Sequence, residues 1–418
     1  MRAFAGDAVF RRLARGSGLM MASNLGGAAL SLAAAALAGR AVGGERYGIY
    51  TFCMAWSAGL VTLCEAGLDG ALEREVARNP AASADLGRTG LLAKLPLIAL
   101  ACGGAALCAP WLAAGEAVGG LRLGAAQAAA FALMGIFSAV FRGNGSYAPV
   151  VSAGLAAGVL QAAGTAAIVS AGGSVTDLLA LAAVLAGLQC LWLGLAGLAQ
   201  FGLPAGPPPI VPAQLYRLAA PFLAGVAVRV AQGRVAPLML GYLSPPVELG
   251  FFGAASRLAD AARLLPNGLL QGTYSLFATG GADRRRAFSS YAIATALMAI
   301  LGGAAMLGLG PTFARLVFGP LFEGSGPVTQ MLGLALACGV VADAAITYLF
   351  AAGDERFAIR WNGVAVAIQA GVTVAVVGEH GASGAAFALA LSRAITCVPL
   401  GWQAWRGARR RFWADDTP

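Results

Sequence analysis

The sequence predicts an all-α polytopic membrane protein of about twelve transmembrane helices arranged as two six-helix lobes. Three observations lead there. Of 418 residues, 59% are apolar and 11% charged, with a mean hydropathy of +0.75. A soluble domain carries about 25% charged residues, so this chain lacks the polar surface to face water on all sides. Apolar runs long enough to span a bilayer recur along the whole chain, and a Pro-rich stretch falls near its midpoint. At about 35 residues per helix and connection, the length accommodates about twelve spans and no soluble domain.

The runs fall near 17–39, 47–68, 89–113, 118–140, 149–171, 176–199, 215–240, 250–272, 288–310, 328–350, 358–378 and 383–403. The first follows Arg2, Arg11, Arg12 and Arg15, which have the look of a signal-peptide n-region, and Ala36-Leu37-Ala38 has the form of a cleavage site. The run exceeds the roughly 7–15 residues of a signal h-region and further spans follow it, so the expectation is an uncleaved first helix. With the N-terminus in the cytoplasm, 18 of the 28 basic residues fall in inner segments, four in outer segments and six inside spans. This is the positive-inside bias. It places both termini in the cytoplasm and gives the Arg406–Arg411 cluster a topological role before any lipid-binding one.

Between the sixth and seventh runs lies Phe201-Gly-Leu-Pro-Ala-Gly-Pro-Pro-Pro-Ile-Val-Pro212. Such a stretch reads as a semi-rigid spacer. The expected organisation is a first lobe over 1–200, a cytoplasmic linker over 201–213, and a second lobe with a basic tail over 214–418. A six-plus-six division suits transporters that rock one half against the other. Gly120-Leu-Arg-Leu-Gly124 and Gly154-Leu-Ala-Ala-Gly158 fit GxxxG helix contacts. Pro221, Pro237, Pro266 and Pro399 are candidate helix kinks.

Scarce residues exclude several chemistries. Lys94 is the one lysine and sits in Leu92-Ala93-Lys94-Leu95-Pro96 with no glycine loop, so no P-loop is present. His380 is the one histidine, which removes a HExxH zinc site and disfavours a His-based catalytic centre. The seven cysteines all lie in apolar stretches and read as core fillers, not as disulfides or metal ligands. No cofactor, no metal and no nucleic-acid partner are expected.

The informative charges are those inside spans, where an arginine costs about 2.5–3.5 kcal/mol on insertion scales. Lys94 and Glu65 lie near inner ends, where snorkelling accounts for them. The remainder are in the second lobe: Arg229 and Arg234 in span seven, Arg257, Asp260 and Arg263 in span eight, Asp343 in ten and Arg393 in twelve. Spans seven and eight form a hairpin turning at Gly241–Leu249. At 1.5 Å per residue, Arg234 and Arg257 lie about 9–10 Å from its turn, Arg229 and Asp260 about 15–16 Å. A like-charge pair and an opposite-charge pair therefore sit at two levels. The like-charge pair is favourable when an anion bridges it, and arginine offers a fork suited to phosphate. The competing reading is an ion-paired stripe, Arg257–Asp260–Arg263, that only holds helices together. Asp343 reads as a partner for one of the arginines ahead of a cation-coupling site. Glu379 and His380 read as residues of a solvated outer loop.

Three segments carry a family resemblance. Gly39-Arg-Ala-Val-Gly-Gly-Glu-Arg-Tyr-Gly-Ile-Tyr50 resembles the first outer loop of polysaccharide flippases. Glu65-Ala-Gly-Leu-Asp-Gly-Ala-Leu-Glu-Arg-Glu-Val-Ala-Arg78 is similar to the segment closing their second helix. Leu249-Gly-Phe-Phe-Gly-Ala-Ala-Ser-Arg-Leu258, continuing to Pro266, resembles their eighth. Gly272-Thr-Tyr-Ser-Leu-Phe277 departs from the pattern, which often has a proline there. The chain thus resembles a Wzx-type (O-antigen) flippase of the multidrug/oligosaccharidyl-lipid/polysaccharide (MOP) exporter superfamily. The resemblance implies movement of a polyprenyl-pyrophosphate-linked oligosaccharide between leaflets of the bacterial inner membrane, for lipopolysaccharide or related glycan synthesis. It also implies membrane lipids, a polysaccharide polymerase and chain-length machinery as partners. Arg234, Arg257, Arg263, Arg229 and Arg393 are then the candidate pyrophosphate contacts, and Asp260 and Asp343 the charge-pairing or ion-coupling residues. The alternatives are a cation-coupled multidrug exporter of the same superfamily and a membrane-embedded polysaccharide polymerase or glycosyltransferase. The first leads one to expect an acid deep in the first lobe, and the second large catalytic outer loops.

Overall fold

The computed structural model describes residues 2–264, 266, 283–352 and 354–412; the side chains of 2–24, 221–227, 229, 230, 283–290, 351, 355 and 409–412 lie outside that description. The described chain is helical throughout, without strands. In order, the helices are α1 (Arg2–Glu65), α2 (Leu68–Arg78), α3 (Ser83–Ile98), α4 (Gly104–Leu112), α5 (Glu116–Gly143), α6 (Ala148–Ser170) and α7 (Val175–Phe201). There follow α8 (Pro212–Leu243), α9 (Pro246–Ala262), α10 (Asp283–Gly308), α11 (Gly310–Phe318), α12 (Ser325–Ala352) and α13 (Glu355–Phe412).

Eight described helical stretches are long and apolar enough to cross a membrane, and they contain ten of the twelve expected spans. Two of the eight hold two spans each. Spans one and two run together as α1, broken at Gly43 (φ 78°, ψ 171°), and spans eleven and twelve as α13, broken at Gly381 (φ 51°, ψ −131°). Both positions take a positive φ that side-chain-bearing residues avoid. Glu379 and His380, expected in a loop, are helical residues just before the second break. Pro399, a candidate kink, lies within continuous helix. Span three is α3 and α4 joined through a π turn, Ala99–Gly103, just after Pro96, whose ring removes a backbone donor from the ladder. Spans seven and eight correspond to α8 and α9; the last part of span eight and the Gly272–Phe277 segment lie outside the described residues.

The chain forms two compact units. The first comprises residues 1–41 and 49–230, the second residues 42–48 and 231–418. In the first, α5 is the central helix. Leu121, Ala125, Ala128, Ala132, Ile136 and Ala139 are all buried, a spacing of three and four residues that makes one continuous stripe. Small residues on that stripe admit close neighbours. Gly120 packs against Cys53 and Leu179, and Gly124 against the Cys53 carbonyl, so this GxxxG pair is a true helix contact. Gly158 meets Leu30, whereas Gly154 faces open space. Large apolar side chains such as Leu100, Trp111, Leu188 and Trp192 are exposed, as a bilayer-facing surface requires.

The Pro-rich stretch is moored to α3. Arg88 donates to the Gly206 carbonyl at 2.7 Å, Asp85 accepts from the Gly206 N–H at 3.3 Å, and Thr89 donates to the Ile210 carbonyl at 3.1 Å. At the start of α8, the Tyr216 hydroxyl donates to the Ala93 carbonyl. The sequence reading of a spacer needs this addition: proline makes the segment stiff, and side chains of α3 fix where it runs.

In the second unit α12 packs against α9, α10, α11 and α13. Residues 42–48 of the first family-like segment belong here. Tyr47 is 1% exposed, with its ring 5.9 Å from Phe318 and 5.7 Å from Phe322. Backbones meet on both sides of it: a Cβ on Gly48 would overlap the Pro246 carbonyl, and one on Gly250 would overlap that of Gly44. Residues 42–48 and the start of α9 therefore meet because each supplies a glycine where the other's backbone passes. Nearby, Glu248 Oε2 accepts from the Ala382 N–H at 2.7 Å, capping the second half of α13 after its break. We predict that Gly48→Ala lowers stability by at least about 1–3 kcal/mol through overpacking. Gly59→Ala, whose Cβ meets open space, leaves it unchanged; thermal unfolding of the purified protein in detergent distinguishes them.

Candidate functional site

The charged residues singled out in the second unit lie on four helices and form two clusters. Arg234 lies on α8, Arg257 and Asp260 on α9 with Arg263 at its C-cap, Asp343 on α12 and Arg393 on α13. Asp260 and Arg257 are the charged neighbours of Arg234. The depth register sets Arg234 level with Arg257; it sets Asp260 against Arg229, whereas in the structure Asp260 neighbours Arg234. The Arg229 side chain lies outside the described residues. Arg234 and Asp260 are exposed, and Arg257 is half-buried. Two residues before Arg234, the buried Gln369 side chain donates to the Gln232 carbonyl at 3.0 Å and ties α13 to α8.

A second cluster forms around α12. Arg393, 7% exposed, donates to Asp343 Oδ1 at 3.3 Å. Arg263 approaches the same place: a Cβ on Gly339 would lie 3.2 Å from Arg263 Nη2 and 3.7 Å from Arg393 Cδ. Gly339 is one turn before Asp343 on the same helix face, so its missing side chain leaves room for both guanidinium groups. Sequence reading passed over Gly339, because one glycine among 59 carries no signal until its neighbours are known. The Arg393 Nε is buried without a hydrogen-bond acceptor. These clusters hold four arginines and two aspartates, and the guanidinium fork is the side-chain geometry that matches phosphate oxygens.

The first unit corrects the snorkelling account of Lys94. Its side chain is 0% exposed, 2.6 Å from Asp69 Oδ1 and donating to the Ala132 carbonyl at 2.9 Å. The cause is a tight break after α1, where Ala66 (φ 42°) and Gly67 (φ 76°) interrupt the helix. Asp69 thereby enters the first turn of α2 and returns toward α3. Gly135 on α5 packs directly on the ion pair. Glu65, at the end of α1, has Asp69, Lys94 and Arg142 as charged neighbours, and Arg142 pairs with Glu73 at 2.9 Å. Removing one partner of a buried pair costs about 3–5 kcal/mol, whereas replacing both is far milder. Lys94→Met is therefore expected to destabilise by about that amount, and Lys94→Met with Asp69→Asn to recover most of it, in thermal or denaturant unfolding. Among the described residues no cluster of three or more His, Cys, Asp or Glu side chains could hold a metal.

Comparison with known proteins fits this architecture. Residues 13–274 match the model of the family described as polysaccharide biosynthesis protein. An inward-facing multidrug resistance MATE family transporter of the MOP superfamily superposes with a TM-score of 0.71 at 14% identity, covering 96% of this chain and 95% of that one. A MOP superfamily transporter from Pyrococcus furiosus superposes at 0.62 with 13% identity, over 95% and 96% of the two chains. A eukaryotic MATE transporter does so at 0.61 with 14% identity, over 97% and 98%. No curated protein matches at the sequence level. With the family match spanning well over half of its length, the chain belongs to the polysaccharide biosynthesis protein family, and its fold is that of a multi-pass membrane transporter of the MOP superfamily.

Proposed function

We propose that the protein is a Wzx-type flippase that moves a polyprenyl-pyrophosphate-linked oligosaccharide from the inner to the outer leaflet of the bacterial inner membrane. The observation that carries this reading is the excess of arginine over aspartate in these clusters of the second unit, where Arg234 and Arg257 neighbour each other and Arg263 lies beside Arg393, which pairs with Asp343. In this account the arginines engage the pyrophosphate during passage. Asp260 and Asp343 hold the guanidinium groups in place while no anion is present, and the lipid tail stays in the bilayer. Alternating access of the two lobes carries the headgroup across, with both termini cytoplasmic. The delivered repeat then goes to a polysaccharide polymerase and its chain-length machinery.

A cation-coupled exporter of the same superfamily is the second reading, favoured by the MATE transporters among the structural neighbours. The expectation of an acid deep in the first lobe counted against it on sequence; Glu65 and Asp69 beside buried Lys94 weaken that objection. The arginine excess still suits anionic cargo better than cationic drugs. The connection over 311–327 offers Arg315 and Glu323, and these pair with each other at 3.3 Å.

Deletion of the gene is expected to cause accumulation of a complete, unpolymerised lipid-linked repeat on the inner leaflet; an incomplete repeat would point instead to an enzyme. Hydrogen bonds to charged groups contribute about 1.5–3 kcal/mol each. The Arg234→Gln, Arg257→Gln double variant should therefore lower translocation in a complementation assay by at least about tenfold at unchanged protein level. Full activity of that variant would remove these two residues from the pyrophosphate path.

A further inference from the structure

We propose that a slot between α10 and α13 binds an anionic phospholipid, at the end of the second unit where α10 begins and α13 finishes. The inference does not rest on the flippase reading. Both flanking helices pack against α12, which floors the slot. Its walls are small residues: Ala292 and Ala296 on α10, Ala344 and Ala345 on α12, Gly401 and Ala404 on α13. The volume is about 180 Å³. Pockets that enclose whole small molecules run to about 300–1,000 Å³, so this one admits part of a molecule and leaves the rest outside. A lipid fits that description, because its chains stay in the bilayer. Ile293 and Leu297, beside the lining residues of α10, are exposed as a bilayer-facing surface requires.

The slot also contains a hydroxyl that the protein leaves unsatisfied. Thr295 lines it and is 4% exposed, and its Oγ1 is buried with no hydrogen-bond partner. Thr62, Thr89, Thr329, Thr347, Thr373 and Thr396 each donate to the carbonyl four residues earlier. Thr295 does not. The nearby Tyr291 hydroxyl is already committed to the Ala344 carbonyl at 3.3 Å. A buried hydroxyl without a partner is costly, and a phospholipid ester carbonyl is an acceptor that relieves it. Threonine in a helix uses two χ1 rotamers, so the hydroxyl can turn to such an acceptor. Trp405 lines the slot with its ring 5.2 Å from Trp402, and both are exposed. Tryptophan favours the membrane–water interface, the depth of the ester groups. A polyprenyl chain carries no ester there and offers Thr295 nothing.

Charge at this end completes the match. Ala358, Ala404 and Ala408 share one core with Tyr348, so the start of α13 lies here too. Residues 283–286, 354–360 and 406–412 hold nine arginines against three acidic residues, with Asp415 and Asp416 following in sequence. At 1.5 Å per residue, Arg284–Arg286 precede Tyr291 by about 8–11 Å, and Arg409–Arg411 follow Trp405 by about 6–9 Å. A phosphate just beyond the ester groups falls at their level. Membrane topology alone accounts for the arginines, but not for the slot or for the Thr295 hydroxyl.

Native mass spectrometry of the full chain in detergent tests this with phosphatidylglycerol, its diether analogue and phosphatidylcholine as probes. The wild-type protein is expected to retain phosphatidylglycerol at least about threefold more tightly than either of the others. Thr295→Val should erase the ester–ether difference. Its thermal stability in lipid-free detergent should be unchanged or raised, because the hydroxyl has no partner to lose. Ala296→Leu, at an exposed position, fills the slot and should remove the preference for phosphatidylglycerol. The lipid comparison in the wild-type protein needs no substitution and so is independent of variant folding. Equal retention of the three lipids by the wild-type protein would overturn the assignment. So would an ester–ether difference that persists in Thr295→Val, or a preference undiminished in Ala296→Leu.

Discussion

A charge carried into the apolar layer of a membrane must meet an opposite charge, a hydrogen-bond partner or a watery surface, and this protein is organised around that requirement. In the first unit it is met almost completely. Lys94, with no exposed surface, has a carboxylate and a backbone carbonyl within hydrogen-bond reach, and Arg142 has Glu73. In the second unit the named arginines outnumber the named aspartates: Asp343 answers Arg393, and Asp260 and Arg257 lie beside Arg234. Full pairing gives rigidity, because each partner removed strands a buried charge. In the proposed function the excess of arginine over aspartate is what a passing pyrophosphate meets. The contrast between the units, not the presence of charge in either, is what suggests division of labour.

Packing follows a related economy. Where helices approach most closely, residues without side chains sit at the contact, as with Gly120 and Gly124 on α5 or Gly48 and Gly250 at the 42–48 segment. A membrane interior supplies little hydrophobic drive between helices, so close van der Waals contact and polar caps do that work. The cap of Glu248 on Ala382 and the mooring of the Pro-rich stretch by Asp85, Arg88 and Thr89 are of this kind. Each fixes a place where the backbone would otherwise leave donors or acceptors unsatisfied.

Much of the architecture was legible in the sequence because hydropathy reports it directly. The apolar runs within the described residues correspond to helices. What escaped was everything that depends on side chains distant in sequence. Counting residues along a span put Lys94 near an end and made snorkelling the economical account. The Ala66–Gly67 break that brings Asp69 back to it has no hydropathy signature. The turn between spans one and two was readable as a family-like segment, but not the reason for its glycines, which lies in the Pro246 and Gly44 carbonyls. Likewise Asp343 was visible as an acid inside a span, while Gly339, which makes room for Arg263 and Arg393, was not.

The central claim of the proposed function is that the arginine-rich clusters of the second unit receive a pyrophosphate. Native mass spectrometry of the purified protein with polyprenyl pyrophosphate and with the uncharged polyprenol tests it most directly. The account predicts that the pyrophosphate is retained at least about tenfold more tightly, a difference of about 1.4 kcal/mol, and that combined Arg263→Gln and Arg393→Gln substitution removes most of the preference. Equal retention of the two lipids by the wild-type protein would contradict it.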